Sequence, residues 1–430
     1  MKKIAQFLPT NLQMSKFLWG GFIALLVGMP FHAFLTIVLG QTFGNRAIFQ
    51  AWKEVLILVM ALVWVGSMLR QRKILIDRSR TNLIVGALFL VAFIVTLLAQ
   101  PSWAALIFGI KTDLVPLVLF LMAQSVIHSH DKPPLAKLIL IPAGFVVLGG
   151  LAQAFILSPQ VMSQLGYNVN TINPVQLVDP AIDAVRLFST LGGANQLGAY
   201  LVLPICLTLA YILRRKQWWL LPLLGGLGWL SLRSYSRSSW IALALAVFIT
   251  VVISLRGKWR LAFVSLSIVA AVGGGLFIYQ VITSPQNTRL QYLLLHGRVN
   301  VDKVEGSDAA RTKSQQMAIE KLTQNPIGYG LGVVGPASQQ AGRSIVTENW
   351  YLQIALELGV AGVLLFVAFW LSNIADLFAT IRRLGADPLR IALLASVCGL
   401  MLSNLFLHTW ADSTLAIMTF SLLGFVRRPA

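Results

Sequence analysis

Acidic residues are scarce in this chain. Aspartate and glutamate number 15 against 34 lysines and arginines in 430 residues, and charged residues of both signs make up only 11%. So little charge, beside 57% hydrophobic residues and a mean hydropathy of +0.76, excludes an ordinary soluble protein. Cysteine is nearly absent as well. Cys206 and Cys398 both fall inside apolar runs, so buried thiols are expected and a disulfide framework is not. The histidines, His32, His128, His130, His296 and His408, show no ligand spacing, and the outer polar segments hold no D-x-D pair. Neither a metal nor an organic cofactor is therefore expected. Asp302, Glu305 and Asp308 could bind a cation but read more simply as loop solvation. No cleavable signal peptide is evident, because the basic start (Lys2, Lys3, Lys16) leads into an apolar run without a convincing cleavage site.

What the chain has in quantity is apolar runs of about 20 residues, the length that crosses a hydrocarbon core of roughly 30 Å. About twelve such runs predict an all-α integral membrane protein. Residues 1–156 read as spans 1–5, 157–191 as an outer loop, and 192–281 as spans 6–9. Residues 282–348 then form a large, partly helical polar loop, and 349–430 hold spans 10–12. Basic clusters alternate along the chain, at Arg70, Arg72 and Lys73, at Arg214, Arg215 and Lys216, and at Arg382 and Arg383. Under the positive-inside rule these face the cytoplasm, which places both termini there and both long polar segments outside. The net charge of +19 is thus spread over topology signals and forms no basic domain for nucleic acid. No internal repeat of the transporter kind is visible, and few ionisable residues fall inside spans, which counts against ion coupling.

Four arginines fall outside this alternation: Arg186, Arg233, Arg237 and Arg311. Singly, each suits a lipid-headgroup anchor. Together they could converge on one multivalent anion, because guanidinium forks match phosphate oxygens in pairs. Arg311 lies in a soluble helix that Ser307 and Asp308 can cap and that Asn325-Pro326 ends. Gly328, Gly330 and Gly332 then make a loop, and Thr347-Glu348-Asn349-Trp350-Tyr351 opens an apolar segment running to about Phe369. The G-x-G-x-x-G match from Gly330 to Gly335 follows a helix and not a strand, so it is no dinucleotide site. A close-approach turn, whose backbone N–H groups reach a ligand or a membrane helix, fits it better. Asn195, just after Gly192 and Gly193, sits at interface depth as a ligand group or an interhelical amide. Trp218, Trp219, Trp240 and Trp350 fit an interfacial belt, although Trp350 and Tyr351 could also stack on a sugar. Glu348 either complements a helix N-terminus or takes a proton from a hydroxyl.

These pieces together resemble the O-antigen ligase and O-antigen polymerase family of bacterial envelope glycan assembly. The matching stretches are R-L-F-S-T-L-G-G-A-N-Q from Arg186 and S-R-S-S-W-I-A-L from Ser236. R-T-K-S-Q-Q-M-A-I-E-K-L-T-Q-N-P-I-G-Y-G-L-G follows from Arg311, then T-E-N-W-Y-L-Q-I-A-L-E-L-G-V-A-G from Thr347. The resemblance implies a multipass, metal-independent glycosyltransferase of the GT-C architectural class. Such an enzyme takes a glycan from an undecaprenyl-pyrophosphate donor on the outer face of the cytoplasmic membrane. Ligases deliver it to lipid A-core, and polymerases to the next lipid-linked repeat. It also implies catalytic roles for Arg186 and Arg311 on the pyrophosphate and for Glu348 as base. Arg237, Arg233, Asn195, Asn349, Tyr351 and Gly330 are then expected to bind substrate. Ligases of the family carry a histidine where this chain has Glu348, which tilts the reading towards a polymerase or a ligase for another acceptor. Inversion at the anomeric centre is expected. A transporter or flippase of lipid-linked sugars, and a non-catalytic scaffold for envelope enzymes, are the competing readings.

Overall fold

The computed structural model describes residues 11–126, 134–179, 182–283, 288–295, 299–300, 303–304, 307–335, 338 and 347–427. Lys2, Lys3, His128, His130, His296, Asp302, Glu305 and several short stretches of the loop 282–348 lie outside them, and Ser307 and Asp308 are described only as backbone. The protein is a mostly helical, multi-pass membrane protein. Nine helices among the described residues are long and apolar enough to cross a membrane: Leu12–Phe43, Arg46–Gln71, Arg80–Ala99, Trp103–Gln124, Leu135–Phe155, Ala194–Arg215, Arg237–Ser254, Lys258–Thr283 and Trp350–Leu384. One of the spans expected within 192–281 and the last two expected within 349–430 fall on shorter helices, Leu221–Arg233, Pro388–Ser403 and Ser413–Val426, of 13, 16 and 14 residues. At about 1.5 Å per residue each is shorter than the hydrocarbon core.

The core is organised around Pro388–Ser403, which packs against Ala194–Arg215 and Arg237–Ser254 and is buried on nearly every side. Small residues permit this. A Cβ on Gly399 would strike the Ala242 carbonyl and meet Ala246, so backbones approach closely where lipid offers no competing hydrophobic drive. Lys258–Thr283 lies at the other extreme, with Val281 its one buried residue. Its apolar surface, like that of Leu58, Leu62, Leu90 and Phe93, faces outward, where it suits hydrocarbon.

Two short antiparallel hairpins interrupt the all-α expectation: Gln176–Asp179 with Ile182–Arg186, and Val299–Asn300 with Lys303–Val304. Both lie in the polar loops, where strands can leave their edges to water.

The glycine-rich loop after Asn325-Pro326 enters a break in the Trp350–Leu384 helix at Gly359, whose φ is 71°. Tyr329 N–H donates to the Leu356 carbonyl (2.7 Å), Gly330 N–H to that of Glu357 (3.0 Å), and Val360 N–H to that of Pro326 (3.0 Å). The backbone groups freed by the break are thereby satisfied. On its other side the loop presses on helix 103–124, where Gly109 abuts Gly332 and Leu331 beside a π-helical turn, Ile110–Leu114. Glu357 lies beneath the loop, accepting from Val334 N–H (3.2 Å), with the buried Asp113 carboxylate nearby. Asp113 and Glu357 are 1% and 0% exposed and Lys53 is 3% exposed, so span interiors carry more ionisable groups than the sequence suggested.

Candidate active site

A cavity of about 520 Å³ collects Arg186, Asn195, Arg237, Arg311 and Glu348, with Ser238, Thr312, Gln315 and the Leu405–Leu407 turn completing its wall. Each charged group arrives from a different element. Arg186 ends the strand Ile182–Arg186. Its Nε donates to the Ser234 carbonyl (2.9 Å) and its Nη2 to Asn195 Oδ1 (2.6 Å). Asn195 is placed by the first turn of helix 194–215, which starts directly after Gly193. Arg237 opens helix 237–254, and the preceding turn contains Tyr235 at a φ of 49°. Arg311 projects from the helix Ser307–Gln324, whose buried Ala318 packs with Val333, Val334 and Leu356 in a small core. Its Nε donates to Glu348 Oε2 at 2.9 Å.

Burial first, and the neighbouring Arg237 cation second, pull the Arg186 guanidinium down to about 10, so it remains charged at neutral pH at a cost. Three guanidiniums against one carboxylate leave this cavity strongly cationic. It is thus prepared for an anion with several oxygens. Among the described residues no group of three or more histidine, cysteine, aspartate or glutamate side chains could hold a metal ion.

The remaining residues singled out from the sequence lie elsewhere. Arg233 does not line the cavity: its carbonyl accepts from Leu187 N–H (3.0 Å), and its Nε is buried without a hydrogen-bond partner. Gly330 lies outside the cavity and its N–H serves the helix break, the membrane-helix alternative for that turn. Asn349 caps helix 350–384 by accepting from Leu352 N–H (3.1 Å), and its Nδ2 donates to the Leu405 carbonyl (3.1 Å). Tyr351 donates to the Met401 carbonyl at 2.8 Å. These two therefore hold the 401–407 segment that walls the cavity, while standing outside it themselves. Trp350 is 1% exposed and packs edge-on to Trp410 and Phe366, so it belongs to no interfacial belt and offers no face to a sugar.

Sequence reasoning missed the Leu405–Leu407 turn, which carries no charge to mark it. Gln315 was available, one helical turn beyond Arg311 on the same face. His408 was set aside from the sequence because the histidines show no ligand spacing. It is largely buried in the turn before helix 413–426; burial lowers its pKa, and nearby Glu348 partly opposes that.

Residues 226–367 match the family model described as O-Antigen ligase. The match covers Arg237, Arg311 and Glu348 and stops short of Arg186 and Asn195. No curated relative matches the chain. Residues 226–367 are thus a domain of the O-antigen ligase and polymerase family, set within a multi-pass membrane protein.

Proposed function

We propose that the protein is a metal-independent glycosyltransferase of the GT-C type. It transfers a glycan from a polyprenyl-pyrophosphate donor, undecaprenyl in a bacterium, to a sugar hydroxyl. The reaction takes place on the outer face of the cytoplasmic membrane, with both termini inside. The observation that carries this reading is the meeting of Arg186, Arg237 and Arg311 with Glu348 in one cavity. A pyrophosphate diester brings two negative charges to a site where cations are crowded and partly desolvated, which relieves their mutual repulsion. The acceptor oxygen attacks the anomeric carbon opposite the pyrophosphate, the bond between that carbon and the pyrophosphate oxygen breaks, and polyprenyl pyrophosphate leaves with the electron pair. Attack from the opposite face inverts the anomeric centre. Glu348 takes the hydroxyl proton, and the Arg311 contact aims the carboxylate. Arg186 and Arg311 neutralise the charge that develops on the leaving oxygen, a task a metal performs elsewhere. Asn195 fixes the Arg186 fork, and Asn349 and Tyr351 act indirectly by fixing the cavity wall.

Glutamate in place of the family histidine favours chain polymerisation, or ligation to an acceptor other than lipid A-core. The test is transfer by purified, reconstituted protein supplied with a polyprenyl-pyrophosphate glycan in the presence of a chelator. Arg311→Ala and Glu348→Gln are each expected to lower the rate by about 10²-fold or more while the thermal unfolding profile is retained. Undiminished transfer by either variant would remove that residue's role. Movement of intact donor across the bilayer with no covalent product would favour a flippase instead.

A further inference from the structure

A second cavity, of about 650 Å³, adjoins the first and shares Asn195 and Leu407 with it. Its charged groups are Lys53, Glu54, Lys111 and Asp412, two of each sign. Lys53 Nζ lies 3.2 Å and Lys111 Nζ 2.5 Å from the same oxygen, Glu54 Oε1. Lys53 is further engaged by His32 Nε2 (2.7 Å) and the Gln50 carbonyl (3.3 Å), and Asp412 is occupied in accepting from Leu415 N–H (3.1 Å). What remains for a ligand is Lys111, whose side chain is 31% exposed, beside Glu54, whose Oε2 is buried and has no hydrogen-bond partner.

Charge decides what this cavity takes. With no net charge it gives a phosphate no advantage over the arginine cavity next door, and Glu54 would repel one. An acyl or prenyl chain gains nothing from a lysine–glutamate pair, and charged groups at this depth are costly unless used. A donor beside an acceptor matches neighbouring hydroxyls of a sugar, each of which both donates and accepts. The other walls are apolar, and the lining residues Leu58 and Ile107 are 59% and 61% exposed, so the mouth opens sideways where hydrocarbon would lie.

We propose that this second cavity holds the sugar head of a membrane-anchored glycolipid, the acceptor, and presents its hydroxyl to the arginine cavity across Asn195 and Leu407. The inference rests on the glycosyl-transfer reading, but its test needs no donor and no turnover. Protein in nanodiscs is photolabelled with dodecyl maltoside carrying a diazirine in its tail, and the labelled peptides are mapped. Label is expected on helices 46–71 and 103–124. Glu54→Gln combined with Lys111→Met should weaken it about fivefold, the worth of roughly one hydrogen bond. Arg237→Ala and Arg311→Ala, which line only the first cavity, should leave it unchanged. On the wild-type protein, unlabelled dodecyl maltoside should compete and dodecylphosphocholine should not, which keeps the test valid if the paired variant misfolds. Labelling elsewhere, indifference to the Glu54 and Lys111 changes, loss with the arginine variants, or better competition by the phosphate headgroup would each overturn the proposal.

Discussion

Glu348 holds a backbone φ of 47°, in the left-handed region that costs an L-residue about 1–2 kcal/mol. Glycine enters that region freely, so Glu348→Gly separates the carboxylate from the fold. Its thermal transition should stay level or rise, while transfer should fall as far as with Glu348→Gln. A variant that unfolds earlier would show instead that the Arg311 ion pair is structural. That pair, with side chains 24% and 39% exposed, is expected to stabilise by no more than about 1 kcal/mol. At this scale the sequence was informative, because a charge beside a membrane is conspicuous. Arg186, Asn195, Arg237, Arg311 and Glu348 were all recognisable, and all line one cavity. Arg233 stands outside it, and sequence does not say towards which side the end of helix 221–233 turns a side chain. Asn349 and Tyr351 were misjudged because their polar atoms bond to backbone carbonyls on a distant segment.

Among the elements, the loop 328–335 and the broken helix 350–384 determine where Arg311 stands. A Cβ on Gly359 would meet the backbone carbonyls of Ile327 and Pro326, which cannot swing aside as a flexible side chain would, and its φ of 71° adds strain. Gly359→Ala should therefore destabilise by at least about 2 kcal/mol and lower transfer as well, since the Ser307–Gln324 helix is tethered through this loop. Gly225→Ala, where a Cβ meets nothing, is the control and should change neither. Normal stability of Gly359→Ala, read by thermal unfolding in detergent, would disprove the tether. The glycine spacing was legible as a close-approach turn. Its partner was not, because Gly359 sits in an apolar run where glycine is unremarkable. The Asp113 contact escaped notice for a related reason: a single acid near a span's start reads as a boundary.

For the whole molecule, the alternation of basic clusters predicts that Arg186 and Arg311 share one side of the membrane and Arg214 and Arg382 the other. Single cysteines placed beside each pair, in a background lacking Cys206 and Cys398, should be labelled by an impermeant thiol reagent only near Arg186 and Arg311 in intact cells. Hydropathy alone marked the long apolar helices, because apolar length is a property of the sequence. It did not distinguish helices long enough to cross from those of only 13 to 16 residues. Nor could it bring residues 186, 237 and 311 together, since that depends on how separate helices pack.

The central claim is that these three guanidiniums form one pyrophosphate site. Its most direct test is the affinity of the purified protein for polyprenyl pyrophosphate, compared with Arg186→Ala, Arg237→Ala and Arg311→Ala. Each variant should bind about tenfold or more weakly, a loss of roughly 1.4 kcal/mol or greater, and the wild-type affinity should fall as salt rises. Equal affinities across the four proteins, insensitive to salt, would contradict the account.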